Sequence, residues 1–366
     1  MLHQLHEDYF QLQRIAPFDL YLKPGIKHFP DYHPALDLLI KRVRLDAPFL
    51  DATGTAGVYA ALSGLEEGVV QETSANALAV ARRNLEAKAY AYLAAALWQG
   101  PPGRFKTVVA TLSGDKGNAR VEAEIEGIYQ ALCADGTAYT LGHKDQGAKR
   151  YESYLERYFD KVKIIAKDKG WRLVQVSGKR EQEAKVNRLA FEVLGLKLEA
   201  EPGVYAAGKL DPGTAFMVST YDFSQLASKR VLDLGCGYGL LAIKAALSGA
   251  EVTAIDDDLL AVHSTYHNAK TFGLDIRCLH SDVDVELKSN EHFDVVLSNP
   301  PFHVAKQVRL ELPHAFIAAA FKHLKIGGEF VFVANKALDY EPLLAEFSYW
   351  EMLASNHAFK VLRAIR

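Results

Sequence analysis

Between Asp233 and Phe302 lie the residues whose types and spacing could do chemistry. Asn299-Pro300-Pro301-Phe302 follows the apolar run 295–298, so it falls at the C-terminal end of an expected strand, where open α/β sheets bind ligands. Proline holds the residue before it extended, and a second proline stiffens the chain further. The Asn299 side-chain carbonyl and the Pro300 backbone carbonyl then become two acceptors facing one point, with Phe302 as a flat face beside them. Two acceptors and an aromatic plate suit a planar base that carries an exocyclic amino group. His303 follows the plate, placed to touch base or phosphate or to serve the fold alone.

Upstream, Val231-Leu-Asp233-Leu-Gly235-Cys236-Gly237-Tyr-Gly239 reads as a short buried strand stopping at glycines. A helix over 240–248 would put this turn at a helix N-terminus, where free N–H groups favour a carboxylate or phosphate. A dinucleotide fingerprint runs G-x-G-x-x-G with an acid about twenty residues on. Here the pattern is G-x-G-x-G. Asp256 lies 21 residues (256 − 235) past the first glycine and ends the next apolar run, followed by Asp257. A ribose-binding acid at that point is common to both nucleotide classes, so the glycine spacing and the later motif carry the distinction.

Together, Asp233-Leu-Gly-Cys-Gly-Tyr-Gly239 and Asn299-Pro-Pro-Phe302 resemble the S-adenosylmethionine-dependent amino-methyltransferases of nucleic-acid bases. Asn299 to His303, the closing Phe359-Lys-Val-Leu-Arg-Ala364, Pro202-Gly-Val-Tyr205 and Leu210-Asp211-Pro-Gly213-Thr214 are similar to the small-subunit ribosomal RNA guanine-N2 methyltransferases. The resemblance implies S-adenosylmethionine as cofactor, with its methionine carboxylate at Gly235–Gly239 and its ribose on Asp256. It implies that Asp282, after the strand expected at 276–279, reads the adenine amino group; a plain helix cap is the other reading of Asp282. The implied substrate is a guanine of small-subunit (16S) rRNA, free or in the small ribosomal subunit, flipped onto Phe302 and held by Asn299 and Pro300. Asp211 and Thr214 could contact the methionine end, although Asp211 as the first residue of a turn is the preferred reading. Large-subunit rRNA is the alternative substrate, and a non-catalytic RNA-binding assembly factor is the alternative from another class. A nicotinamide oxidoreductase is disfavoured by the third glycine's position. DNA adenine and protein glutamine methyltransferases share the motif but more often carry tyrosine at the Phe302 position, and they lack the duplication described next.

These elements occur twice. Phe49-Leu-Asp51-Ala-Thr53-Gly54-Thr-Ala-Gly57 answers to the segment from Val231 to Gly239, at an offset of 182 (233 − 51). Glu72 answers to Asp256 at 184 (256 − 72), and Phe105 to Phe293 at 188 (293 − 105). Small drifts of this kind are what loop insertions produce. The expected architecture is α/β: two tandem Rossmann-like class I methyltransferase domains from an internal duplication. In the first copy Thr111-Leu-Ser-Gly114 stands where Asn-Pro-Pro-Phe should be, so that copy is degenerate and is expected to grip RNA or steady the second. Boundaries fall at 1–180 for the degenerate domain, 181–192 for a charged linker and 193–366 for the catalytic domain. Alternation of apolar runs and helical stretches after the glycine turn, ending in a hairpin, argues a mostly parallel sheet.

Composition agrees. An apolar share of 49% over 366 residues supports packed domains rather than disorder. Net charge is −3, so phosphate contacts must come from a local patch; residues 161–185 are the richest in Lys and Arg, as an RNA surface or as a solvated face. Cys133, Cys236 and Cys278 make neither a disulfide framework nor a zinc pattern, and no deaminase signature is present. No apolar stretch reaches membrane-spanning length and the first residues do not resemble a signal peptide. A cytoplasmic, metal-independent, monomeric enzyme is the expectation.

Overall fold

The computed structural model describes residues 1–301 and 310–366 in full and, between them, the backbone of 303–304 and 307–308. The chain divides into two compact units, residues 12–187 and residues 1–11 together with 188–366. The first unit carries strands β1 (Phe49–Ala52), β2 (Glu67–Glu72), β3 (Ala89–Ala94), β4 (Phe105–Thr111), β5 (Leu132–His143), β6 (Phe159–Asp168) and β7 (Trp171–Lys179). They form one seven-stranded sheet in the order β3-β2-β1-β4-β5-β7-β6. The second unit repeats the plan with β8 (Arg230–Leu234), β9 (Glu251–Asp256), β10 (Ile276–His280), β11 (Phe293–Ser298), β12 (Leu324–Asn335), β13 (Tyr349–Ser355) and β14 (Phe359–Ile365). Its order is β10-β9-β8-β11-β12-β14-β13, strand for strand the same.

In both sheets the first five strands are parallel and the seventh inserts antiparallel beside the fifth. A parallel strand covered by helices on both faces must be apolar throughout, and Val231, Leu232 and Leu234 are all fully buried. Asp233 in the midst of them is the exception and is also fully buried. Chain order reverses at β8, whose neighbours are β9 on one side and β11 on the other. That reversal opens a crevice at the strand ends. In register, Leu234 faces Ser298, so the glycine turn and Asn299 leave the sheet side by side.

One element departs from the expected boundaries. The helix Leu2–Phe10 packs with the second unit, not with the first copy that follows it in sequence. Leu2, Leu5 and Tyr9 recur at helical spacing and join a cluster with Phe316, Ile317, Leu324 and Phe347. No helix among the described residues is long and apolar enough to cross a membrane.

Candidate active site

Each glycine of the turn has its own reason. All three have positive φ: Gly235 at 82°, Gly237 at 57° and Gly239 at 91°. A Cβ on Gly239 would lie 2.8 Å from Thr265 Oγ1, so the helix Leu259–Thr271 can pack only against glycine there. A Cβ on Gly235 would come within 3.0 Å of the Phe316 ring. A Cβ on Gly237 would meet nothing within 4 Å. The first and third serve the fold; the middle one borders open space.

Four amides of the turn are bonded within the chain. Gly235 N and Cys236 N both donate to the Ile255 carbonyl, at 2.9 and 3.0 Å, and Gly239 N donates to the Cys236 carbonyl at 2.9 Å. Gly237 N donates to Asp256 Oδ2 at 2.9 Å. At Gly237 the turn also offers a ligand close approach to the backbone.

Asp233 holds the turn from below. Its Oδ2 accepts from Ala242 N at 2.9 Å, tying the strand end to the first turn of the helix Leu240–Leu247. Oδ1 is buried and has no hydrogen-bond partner among the described residues. Burial pushes the carboxyl up to about 7, against the Ala242 bond that lowers it, with the Asp256 charge adding to the rise. Cys236 is buried and its thiol is held well above the usual range, first by burial and then by the charge of Asp256, so it is inert packing beneath the turn.

Asp256 ends β9 with both carboxylate oxygens on backbone, Oδ2 to Gly237 N and Oδ1 to Asp258 N at 2.9 Å. Asp257 follows, its carbonyl 2.8 Å from His280 Nε2. Asp282 stands in the loop after β10, which is stitched to β9 by a 2.9 Å bond from Ser281 N to the Asp256 carbonyl. Its carboxylate is nearly buried and accepts from the Tyr9 hydroxyl at 2.9 Å. Three strand ends thus gather Asp233, the glycine turn, Asp256, Asp257 and Asp282 along one edge of the sheet.

Asn299 joins them from the fourth. Its Nδ2 donates to Asp211 Oδ2 and to Thr214 Oγ1, each at 2.9 Å. Only an amide nitrogen can face a carboxylate oxygen at that distance, so the network fixes which way the amide points. Oδ1 is on the opposite edge, an acceptor aimed away from Asp211. Asp211 is also the N-cap of the helix Pro212–Thr220: its Oδ2 accepts from Thr214 N at 2.8 Å, and its Oδ1 from the Tyr205 hydroxyl at 2.7 Å. Asp211 thus caps a helix rather than opening the expected turn, and the same carboxylate also orients Asn299. The signal was Asp-Pro-Gly-Thr, a cap followed by proline at the first helical position, but nothing in it names the distant partner. Pro300 is buried. Phe302 and the side chain of His303 lie outside the described residues; the His303–Val304 backbone pairs antiparallel with Gln307–Val308.

The first copy keeps the frame and loses the ligand-facing parts. Asp51 accepts from Ala60 N at 3.0 Å, nine residues on, as Asp233 does from Ala242. Its other oxygen is satisfied by Thr53, whose N and Oγ1 donate at 2.9 and 2.6 Å. A cavity of about 90 Å³ remains at these strand ends, lined by Thr53, Gly54, Glu72, Thr111 and Arg120 among others. Arg120 is already bound to Glu124 at 2.7 Å, both side chains buried. Among the described residues no group of three or more His, Cys, Asp or Glu is placed to hold a metal ion.

Comparison with known proteins agrees with this geometry. The Methyltransferase small domain model matches residues 195–363. A ribosomal RNA small subunit methyltransferase C from Cronobacter sakazakii is 30% identical over 257 residues, 68% of this chain and 73% of that one. The chain belongs to the ribosomal RNA small subunit methyltransferase C family. A member from Chromohalobacter salexigens is 35% identical over 179 residues, 48% of this chain and about half (53%) of its own length. The family's T. thermophilus 16S rRNA N2 methyltransferase, solved in complex with AdoMet and guanosine, is similar across the whole fold. Its TM-score is 0.87, with 31% identity and 99% of both chains covered. A class I methyltransferase of this family uses S-adenosylmethionine, and the open ground above Gly237, beside Asp256 and Asp282, fits such a ligand.

Proposed function

We propose that this chain transfers a methyl group from S-adenosylmethionine to the exocyclic N2 amine of a guanine in small-subunit rRNA, and that the second unit alone carries the chemistry. The observation that carries the reading is the Asn299 amide, pinned through Nδ2 by Asp211 and Thr214 so that its carbonyl is presented as an acceptor. The relative solved with AdoMet and guanosine supports both ligands.

The cofactor brings a sulfonium methyl, whose leaving group is a neutral thioether. Asn299 Oδ1 and the Pro300 carbonyl accept hydrogen bonds from the two N–H groups of the guanine amine and would direct its lone pair at that carbon; as the N–C bond forms and the C–S bond breaks, one amine proton is lost to solvent. Phe302 stacks on the flipped base. Asp256 holds the ribose and Asp282 the adenine amine, while the turn at Gly237 lets the chain pass close beneath. Much of the acceleration is positioning, since fixing two reactants in line replaces a bimolecular encounter. The first copy, which lacks Asn-Pro-Pro-Phe, contributes RNA contact or support. The enzyme acts as a monomer in the cytoplasm.

The test is transfer of labelled methyl to protein-free rRNA and to isolated ribosomal subunits, wild type beside Asn299→Ala and Phe302→Leu, with the product nucleoside identified. The reading requires N2-methylguanosine in small-subunit RNA and a loss of about 100-fold or more in Asn299→Ala with cofactor still bound. Label in large-subunit RNA would move the substrate, and no label in any RNA would leave the assembly-factor role.

A further inference from the structure

We propose that Tyr9 is a positioning residue for the methyl-donor site: its hydroxyl sets the Asp282 carboxylate that reads the adenine amine. This rests on the role given to Asp282 above. The helix Leu2–Phe10 is anchored by apolar contacts at Leu2 and Tyr9, both nearly buried, with Leu5 and Phe10 packed alongside. Phe316, in the same cluster, is the ring that lies beneath Gly235. One packed layer therefore supports the glycine turn and the N-terminal helix together.

From that layer two polar side chains reach the loop after β10. His6 Nε2 lies 2.8 Å from Asp284 Oδ1. Asp284 Oδ2 meets Lys322 Nζ at 2.7 Å and His323 Nε2 at 3.0 Å, and the His323 ring is itself held at Nδ1 by the Glu291 carbonyl at 2.8 Å. Burial of Asp284 would raise its pKa, but the bonds from His323, His6 and Lys322 outweigh it and hold the carboxyl well below the usual range. The loop is thus clamped at Asp284 and sewn to β9 at Ser281. Between these two fixed points sits Asp282, with Tyr9 donating to Oδ1 at 2.9 Å.

The Tyr9 ring would fill its place equally well as phenylalanine. A phenol buried in an apolar layer adds a desolvation cost unless its hydroxyl has a partner to serve. The partner here is a carboxylate in a low-dielectric setting, where a donor bond is strong and directional. Tyr9 fixes the carboxylate's rotation, and the direction of its acceptor lone pairs follows from that rotation.

Titration of the full-length protein with S-adenosylhomocysteine, and with S-inosylhomocysteine in which a carbonyl replaces the amine, tests this. Wild type should prefer the adenine form. Tyr9→Phe should weaken S-adenosylhomocysteine by about tenfold and leave S-inosylhomocysteine within about twofold. In an Asp282→Ala background Tyr9→Phe should add nothing for either ligand, which closes a double-mutant cycle. Equal weakening of both ligands, or an additive effect in the Asp282→Ala background, would show that Tyr9 acts on the fold alone and overturn the proposal. No change with either ligand would overturn it too. Wild type that binds both forms equally would instead remove the adenine role of Asp282 itself.

Discussion

Asn299 and Asp211 meet at 2.9 Å, amide nitrogen to carboxylate oxygen, across 88 residues of sequence. The same carboxylate caps the helix Pro212–Thr220, so a fold-making residue also aims the proposed catalytic amide.

The two duties can be separated. Serine is as good an N-cap as aspartate but is too short to reach Asn299. Asp211→Ser should melt within a few degrees of wild type while kcat falls by about tenfold or more, with cofactor affinity little changed. Steady-state kinetics beside thermal melting reads this out. A variant that keeps full kcat would mean that Asn299 is held well enough by Thr214.

Gly237 and Gly239 make a matched pair. Gly237→Ala meets no atom and costs about 1–2 kcal/mol for its left-handed backbone; it should fold, yet bind S-adenosylhomocysteine at least tenfold more weakly. Gly239→Ala drives a methyl group into Thr265, including its backbone, and should be destabilised by about 3 kcal/mol or more. Urea unfolding and ligand titration on both variants would show the two losses exchanged.

Asp233 predicts a pH signature. In the folded chain burial keeps its proton up to about pH 7, whereas unfolding returns it to 3.8. Across that interval the unfolded state binds fewer protons, so the residue's contribution to stability is complete below about pH 4 and is lost as pH rises through 7. The span corresponds to something on the order of 4 kcal/mol. Asp233→Asn cannot titrate, so the wild-type-minus-variant difference in unfolding free energy should decline from about pH 4 to about pH 7 and level off above it. Parallel pH profiles for the two proteins would sink the assignment.

In the first copy, Thr53→Val leaves Asp51 Oδ1 with one donor fewer in a buried site. Stability of the first unit should drop by about 1–3 kcal/mol, followed by the fluorescence of Trp98 and Trp171, while titration with S-adenosylhomocysteine stays unchanged. Weakened ligand binding would mean that the first copy takes part in the site.

Much of this was legible in sequence because the signals were local. The duplicated plan shows in the recurrence of Asp51 and Asp233 with their glycines, whereas the seven-stranded order of each sheet is given only by the structure. Strand ends and the helix after Gly239 fall where apolar runs stop. Hydrogen bonds inside the turn were not legible, since a glycine pattern states which backbone angles are allowed and not which way each N–H points. Asp211 with Asn299, and Tyr9 with Asp282, join residues 88 and 273 positions apart. No spacing rule reaches that far, and a lone tyrosine in a polar opening helix carries no mark of its partner.

The helix Leu2–Phe10 also has a consequence for the order in which the molecule is made. Leu2 N donates to Glu346 Oε1 at 2.6 Å, a contact spanning 344 positions. At a synthesis rate of about 5–20 residues per second, the helix waits roughly 20 to 70 s on the ribosome before its docking surface exists. Throughout that interval Leu2, Leu5 and Tyr9 have nothing to cover them, and the first unit can finish folding ahead of them. The loop bearing Asp282 therefore gains the support of Tyr9 only after Phe316, Ile317 and Leu324 have been made, so a product truncated before them would carry Asp282 in an unclamped loop.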